Sequence, residues 1–177
     1  MNTTLDDLLK KSQGLDAVEV ENAENDVFPP EFGSLTGNPR TEARLLAMQA
    51  LYQHLLVGTE MKHIRDDFSR SYVKSRDAEN KLFRILVDDM AENVERYTEL
   101  VAAHLAEGWS MERVGLVERC ILITAASEFT CRLDTPYKVI INEFVNISKG
   151  YFKAEGVSFI NAAVDKLARK IRPADIA

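Results

Sequence analysis

The sequence predicts an all-α protein, and three observations carry that prediction. Beyond residue 38, apolar residues recur in steps of three and four, the period of a helix with one face turned to a core. Helix punctuation brackets these stretches, with Asn38-Pro39 and Thr135-Pro136 at starts and Gly58, Gly150 and Pro173 at stops. The one β-rich run, Val139-Ile140-Ile141, has no partner strands elsewhere in the chain, so it is assigned to a helix.

Taken in order, the first helix opens at Asn38, whose side chain suits a cap, with Pro39 at a position where its missing N–H costs nothing. Leu45, Met48, Leu51, Tyr52, Leu55 and Leu56 share one face, and Gly58 ends it. Residues 61–73 form a weaker second helix through Ile64, Phe68 and Tyr72. A third runs over residues 77–108, capped by Asp77, with a stripe from Phe83 through Val87, Met90, Val94, Tyr97 and Val101 to Leu105. At roughly 30 residues it exceeds ordinary helix lengths, so a bend is expected within it. Ser110 caps a turn or short helix over residues 111–115. Leu116–Cys131 is apolar nearly all round, the mark of a central buried helix. A further helix covers residues 137–149, and the last carries Phe159, Ile160, Ala163, Val164, Leu167 and Ile171 before Pro173.

Residues 1–38 contrast with this. They hold eight acids and two bases, a net of −6, whereas residues 39–177 hold 20 of each. The chain's whole net charge of −6 therefore lies in the N-terminal tail, and the acidic balance says nothing against a basic patch on the body. Acidity, Phe28-Pro29-Pro30 and the Gly33 to Asn38 stretch predict a disordered tail, with at most a transient helix over residues 4–15. No run approaches the roughly 20 apolar residues of a membrane span. The N-terminus lacks the basic and apolar regions of a secretory leader, so a cytoplasmic protein with no membrane association is expected. Asn2-Thr3-Thr4 and Asn146-Ile147-Ser148 then carry no glycan.

A catalytic or metal centre is not expected. Cys120 and Cys131 form no C-x-x-C pair and are expected as buried free thiols. His54, His63 and His104 fall on different helices with no ligand at metal spacing. Asp66-Asp67 and Asp88-Asp89 are adjacent pairs; neighbours on a helix diverge by about 100°, so each pair is expected to solvate a helix face. No phosphate loop, nucleophile elbow or H-E-x-x-H run is present. No metal and no cofactor is assigned.

Binding is better supported. Arg40 and Arg44 lie one turn apart at the start of the first helix, with Glu42 about 200° around from Arg40. A cation in a first turn opposes the helix dipole, and free N–H groups beside two arginines suit phosphates; the alternative is a generic solvated helix end. Lys166, Arg169, Lys170 and Arg172 form a basic strip on the last helix. The stretch 149–159, taken as a loop, sets Lys149 and Lys153 among Tyr151, Phe152 and Phe159. Single-stranded nucleic acid is held in this way, by stacking on open rings while cations follow phosphate. The alternative is that Phe152 and Phe159 anchor the core. Glu118 within Leu116–Cys131, and Asn142-Glu143 within the following apolar helix, either pair internally or face a partner, because an unpaired buried carboxylate is costly.

Several runs resemble those of the NusB family of bacterial transcription antitermination factors. Ala43-Arg44 with Ala47-Met48-Gln49-Ala50-Leu51-Tyr52 is similar to the family's opening helix, and Val117-Glu118-Arg119 to its fourth-helix region. Pro136-Tyr137-Lys138-Val139-Ile140-Ile141-Asn142-Glu143 resembles P-Y-K-V-x-I-N-E. The run from Phe159-Ile160-Asn161-Ala162-Ala163-Val164-Asp165-Lys166 to Ile171-Arg172-Pro173 resembles F-V-N-G-x-L-D-K…I-R-P. The resemblance implies a NusB-like fold of six to seven helices in two packed subdomains, residues 39–107 and 110–173. It implies an RNA-binding factor, not an enzyme, that binds the boxA element of rRNA leader transcripts jointly with the ribosomal protein NusE and joins the antitermination complex on RNA polymerase. By position, Arg40 and Arg44 would meet RNA phosphates near Tyr52, with Lys149, Tyr151, Glu155 and Phe159 on the RNA side of the C-terminal half. Glu118, Tyr137, Asn142 and Glu143 would face the NusE-like partner.

Two departures from the family pattern have consequences. The family opening often carries consecutive arginines, whereas this chain reads Arg40-Thr41-Glu42-Ala43-Arg44. Fewer phosphate contacts imply a shallower salt dependence and greater reliance on the partner. The acidic tail is the second, expected to compete weakly with RNA, so that its deletion tightens binding at low salt. The alternative reading is a helical dimerisation or adaptor domain, with homodimer formation through the same helices masking the RNA face.

Overall fold

The computed structural model describes residues 38–105 and 107–176; the acidic tail, with the helix expected over 4–15 and the competition assigned to it, lies outside the described residues. Helix α1 (Pro39–Val57) begins where Asn38 Oδ1 accepts from the Arg40 backbone N–H at 2.9 Å. It ends at Gly58, whose φ of +78° favours a residue without Cβ and whose N–H donates to the His54 carbonyl. The burial of α1 is broader than one face. Every residue from Thr41 to Leu51 is buried, whereas Leu55 is exposed. From Thr41 to Leu51 it is enclosed on all sides, and the C-terminal turns behave as a surface helix.

The expected second helix divides into α2 (Met61–Arg70) and the single turn α3 (Tyr72–Ser75). At the break, the Ser71 hydroxyl donates back to the Asp67 carbonyl at 2.7 Å, the local competition that lets serine interrupt a helix. Phe68 ties this corner together, edge-on to Tyr72 and stacked against Phe83. Asp77 does not cap the next helix. It takes a left-handed φ of +51° in the turn, a conformation short polar side chains tolerate, and α4 (Asn80–His104) starts after Glu79. Helix α4 runs unbroken for 25 residues and stops at His104 rather than Gly108, so the shorter element needs no break.

A 3-10 turn (Met111–Arg113) leads into α5 (Leu116–Cys131), whose bounds match expectation. Residues from Cys120 to Phe129 are buried around its whole circumference, and it packs against α1, α4, α6 (Tyr137–Ser148) and α7 (Ala154–Ile171). It is the central helix of the described residues. Helix α6 starts at Tyr137 as expected, with Pro136 as the flanking residue, and Val139-Ile140-Ile141 is helical. Residues 154–159, taken as loop, form the first turns of α7, so the connection after α6 is short and both aromatic ends are held by helices. The described residues all fall within one compact unit.

Candidate nucleic-acid interface

The two arginines of α1 have opposite fates. Arg40 stands open, its side chain 62% exposed, with Nε donating to Glu79 Oε2 at 2.8 Å. Glu79 thus gives a structural reason for a cation in this first turn, and leaves most of the guanidinium accessible. Arg44 is 3% exposed and cannot reach a phosphate. Its Nε and Nη2 donate to the two oxygens of Glu128 at 2.8 and 2.6 Å, and its Nη1 donates to Glu143 Oε2 at 3.1 Å. The helical arithmetic that put both arginines on one side holds, but one turn further in that side is covered by α5 and α6. Glu42, the first-turn acid on the side away from Arg40, is buried 3.9 Å from the Arg76 guanidinium.

The same cluster answers the question posed by Glu143. Its Oε2 accepts from Thr41 Oγ1 as well as from Arg44, so this carboxylate pairs internally and fastens α6 to α1. Glu128 is the residue that sequence reasoning missed. It is fully buried in the central helix, and a carboxylate in that setting requires a cation. That requirement was the available signal, although nothing local identifies Arg44 as the answer. Asp89 was likewise misassigned to solvent: it accepts from Tyr97 Oη at 2.7 Å and Ser127 Oγ at 2.6 Å. Burial and this bond push the Tyr97 phenol well above its ordinary range. Asp88 pairs with Arg65.

The aromatic and basic stretch is compact and partly open. Lys149 is exposed beyond the end of α6, its Nζ donating to Asn146 Oδ1 at 3.0 Å. Tyr151 is half-buried, its hydroxyl accepting from Gln49 Nε2 of α1 at 3.4 Å. Tyr52 is half-buried against the core. A groove between α6 and α7 is lined by Val145, Lys149, Phe152, Val157 and Asn161. Its wall depends on Gly156: a Cβ there would lie 2.7 Å from Phe152 Cβ, so the ring backs onto the first turn of α7. Glu155 is exposed in that turn. Phe159 is half-buried and stacks on Trp109, ring centroids 5.1 Å apart. Trp109 was not singled out from the sequence, because no period places it and its ring contact comes from 50 positions away.

The expected basic strip on α7 is thinner than it looked. Arg172 is buried, donating to the Thr135 and Leu133 carbonyls at 2.7 and 3.0 Å and pairing with Asp175. Arg169 pairs with Asp165, while Lys166 and Lys170 remain exposed. On the other expected face, Glu118 and Tyr137 are half-buried and Asn142 is exposed. Leu133 and Val139, near Tyr137 in sequence, are exposed apolar residues.

Among the described residues, no group of three or more His, Cys, Asp or Glu side chains is placed to hold a metal ion, and no helix is long and apolar enough to cross a membrane. His54 and His104 bond to the Thr59 and Leu100 carbonyls. Cys120 and Cys131 are free thiols, and burial pushes both upward, Cys131 to about 12.

Comparison with known proteins follows this geometry. The family model described as "NusB family" matches residues 41–169. A transcription antitermination protein NusB from Caulobacter vibrioides is 34% identical over 149 residues, covering 78% of this chain and 99% of that protein. Its counterpart in Laribacter hongkongensis is 37% identical over 139 residues, covering 76% and 80%. Among solved structures, T. maritima NusB superposes with a TM-score of 0.60 at 25% identity, covering 78% of this chain and 97% of that one.

Proposed function

This chain belongs to the NusB family of transcription antitermination proteins, and from that premise we propose that it binds the boxA RNA of rRNA leader transcripts together with NusE, as part of the antitermination complex on the elongating polymerase. The role is one of binding, not catalysis, and its setting is the cytoplasm. The observation that carries the RNA reading is the half-open aromatic edge of Tyr151 and Phe159 beside the exposed Lys149. Such an edge offers ring faces for bases and a cation for phosphate. Arg40 adds the accessible arginine of the first turn of α1, and Tyr52 lies on the same helix.

Protein recognition is assigned to a separate surface. Glu118 on α5, with Tyr137 and Asn142 on α6, supplies its polar groups, and Leu133 and Val139 its apolar ones. Exposed apolar side chains together with polar groups suit a protein partner. Glu143 acts here indirectly, by fixing the position of α6 through Arg44.

With Arg44 withdrawn into the core, phosphate contacts from α1 reduce to those of Arg40. Binding by the lone protein is therefore expected to be weak and only shallowly dependent on salt, since the slope scales with the number of phosphates neutralised. A titration of boxA RNA at several salt concentrations, with and without NusE, tests this. A marked gain in affinity on adding NusE supports the joint site. Tight binding by the chain alone removes the reliance on a partner. No RNA binding in either arm overturns the RNA reading and leaves an adaptor or dimerisation domain.

A further inference from the structure

Trp109 lies in the connection between α4 and α5, outside every run that carries the family resemblance. Its ring is 49% exposed although it stacks on Phe159 with an interplanar angle of 29°. A large aromatic side chain left this open forgoes much of the stabilisation its burial would bring. The support beneath it is nonetheless well built. Gly108 takes a φ of +83° immediately before it, which turns the backbone so that residue 109 lies over α7. Arg113 Nη1 donates to the Gly108 carbonyl at 3.3 Å, and Lys166 Nζ to the Leu105 carbonyl at 3.3 Å.

Those two cations matter for the chemistry. Phe159 and Lys166 are seven residues apart on α7, hence on one face, and Arg113 approaches from the 3-10 turn. Each is bonded to a backbone carbonyl, and among the described residues neither forms an ion pair with a carboxylate. The adjacent Glu112 accepts from Ser110 Oγ at 2.7 Å and keeps its own charge, but it forms no ion pair with either cation among the described residues. A carbonyl leaves the positive charge uncancelled. A supported, half-open ring pair flanked by two uncancelled cations has the composition of a single-strand stacking site, in which bases lie on rings and phosphates on cations.

We infer that Trp109 is a further RNA-binding residue: it extends the Phe159 edge into a two-ring platform on which an unpaired nucleobase stacks, with Arg113 and Lys166 facing the adjoining phosphates. The inference rests on the RNA reading proposed above and adds to it a base contact from the α4–α5 connection. It also implies that the bound strand passes beyond Phe159 toward the end of α4.

Trp109 is the single tryptophan of the 177 residues, so intrinsic emission reports on this position alone. Unlabelled single-stranded boxA RNA is titrated into the wild-type full chain, with and without NusE, following both Trp emission and the anisotropy of a trace of labelled RNA. The expected result is quenching that saturates with the anisotropy curve, and loss of that quenching when one nucleotide of the RNA is made abasic. Trp109→Leu is expected to weaken RNA binding about tenfold, the scale of one lost base stack, while Trp109→Phe keeps most of the affinity. Unchanged melting curves for both variants separate stacking from folding. RNA binding with unmoved emission and an unaffected Trp109→Leu variant overturns the inference and leaves the RNA reading standing. Emission that responds to NusE alone assigns Trp109 to the protein partner and overturns it too. No RNA binding by the wild-type chain in any arm overturns the RNA reading, and the stacking site falls with it.

Discussion

The Arg44 cluster and the Phe159 edge are both rich in the residues that bind nucleic acid, and they do opposite things with them. At Arg44, three side chains from three helices satisfy one another in the interior, and the charge is spent on holding α1, α5 and α6 together. At Phe159, rings remain half-open and the neighbouring cations rest on backbone carbonyls. The difference teaches that residue type marks a capacity for binding, while the partner already in place decides whether that capacity is free.

The sharpest way to break the comparison is Arg44→Ala. It leaves Glu128 buried and uncompensated, which costs about 3–5 kcal/mol, and urea denaturation is expected to show a loss of that size. RNA affinity should fall only in proportion to the unfolded fraction; a well-folded variant with specifically lost RNA binding would return Arg44 to the interface. Arg44→Lys is expected to recover little, because an ammonium cannot reproduce the two-pronged contact with Glu128.

Gly156→Ala strikes the other region. Its new Cβ would press on Phe152 Cβ at 2.7 Å, so the ring or the first turn of α7 must shift. Overpacking of this kind costs about 1–3 kcal/mol, and thermal melting should register it together with weaker RNA binding. Arg40→Ala tests the accessible arginine. Loss of its exposed pair with Glu79 changes stability by less than about 1 kcal/mol. The plot of log affinity against log salt should become shallower by about one unit, a change an Arg44 variant would not produce by itself.

The smallest effect belongs to an exposed pair that serves neither region. Hydrogen bonding from Arg132 holds the Asp134 carboxyl down to about 2, below its ordinary 3.8. A carboxyl depressed on folding contributes stability that is fully present above its unfolded value and is lost as pH falls from there through the folded one. Asp134→Asn should therefore lower stability slightly at neutral pH, with the gap to wild type closing as pH falls from about 4 to 2, as followed by denaturation at each pH.

What was legible in the sequence follows the range of the interaction concerned. The Asn38-Pro39 opening, the Gly58 stop and both ends of Leu116–Cys131 depend on contacts within a few residues, and they were found in place. Asp77 failed as a cap because the turn before α4 uses it in a left-handed conformation, which composition does not distinguish from a capping role. Residues 154–159 read as loop because aromatics and a glycine broke the pattern, yet the turn of helix there is kept by packing of Phe152 over Gly156. The candidate site was only partly visible for the same reason. Tyr151 and Phe159 announce themselves within one segment, whereas Trp109 gains its role from a contact across 50 positions and Arg44 loses its expected one to partners further still.

That last separation bears on how the chain comes to be folded. Arg44 meets Glu128 and Glu143 across 84 and 99 positions of sequence. At a synthesis rate of about 5–20 residues per second, α1 exists for roughly 4–17 s before Glu128 is made. Throughout that interval Arg44 is without the two carboxylates it meets in the folded protein, so this part of α1 is secured only after α5 and α6 are made.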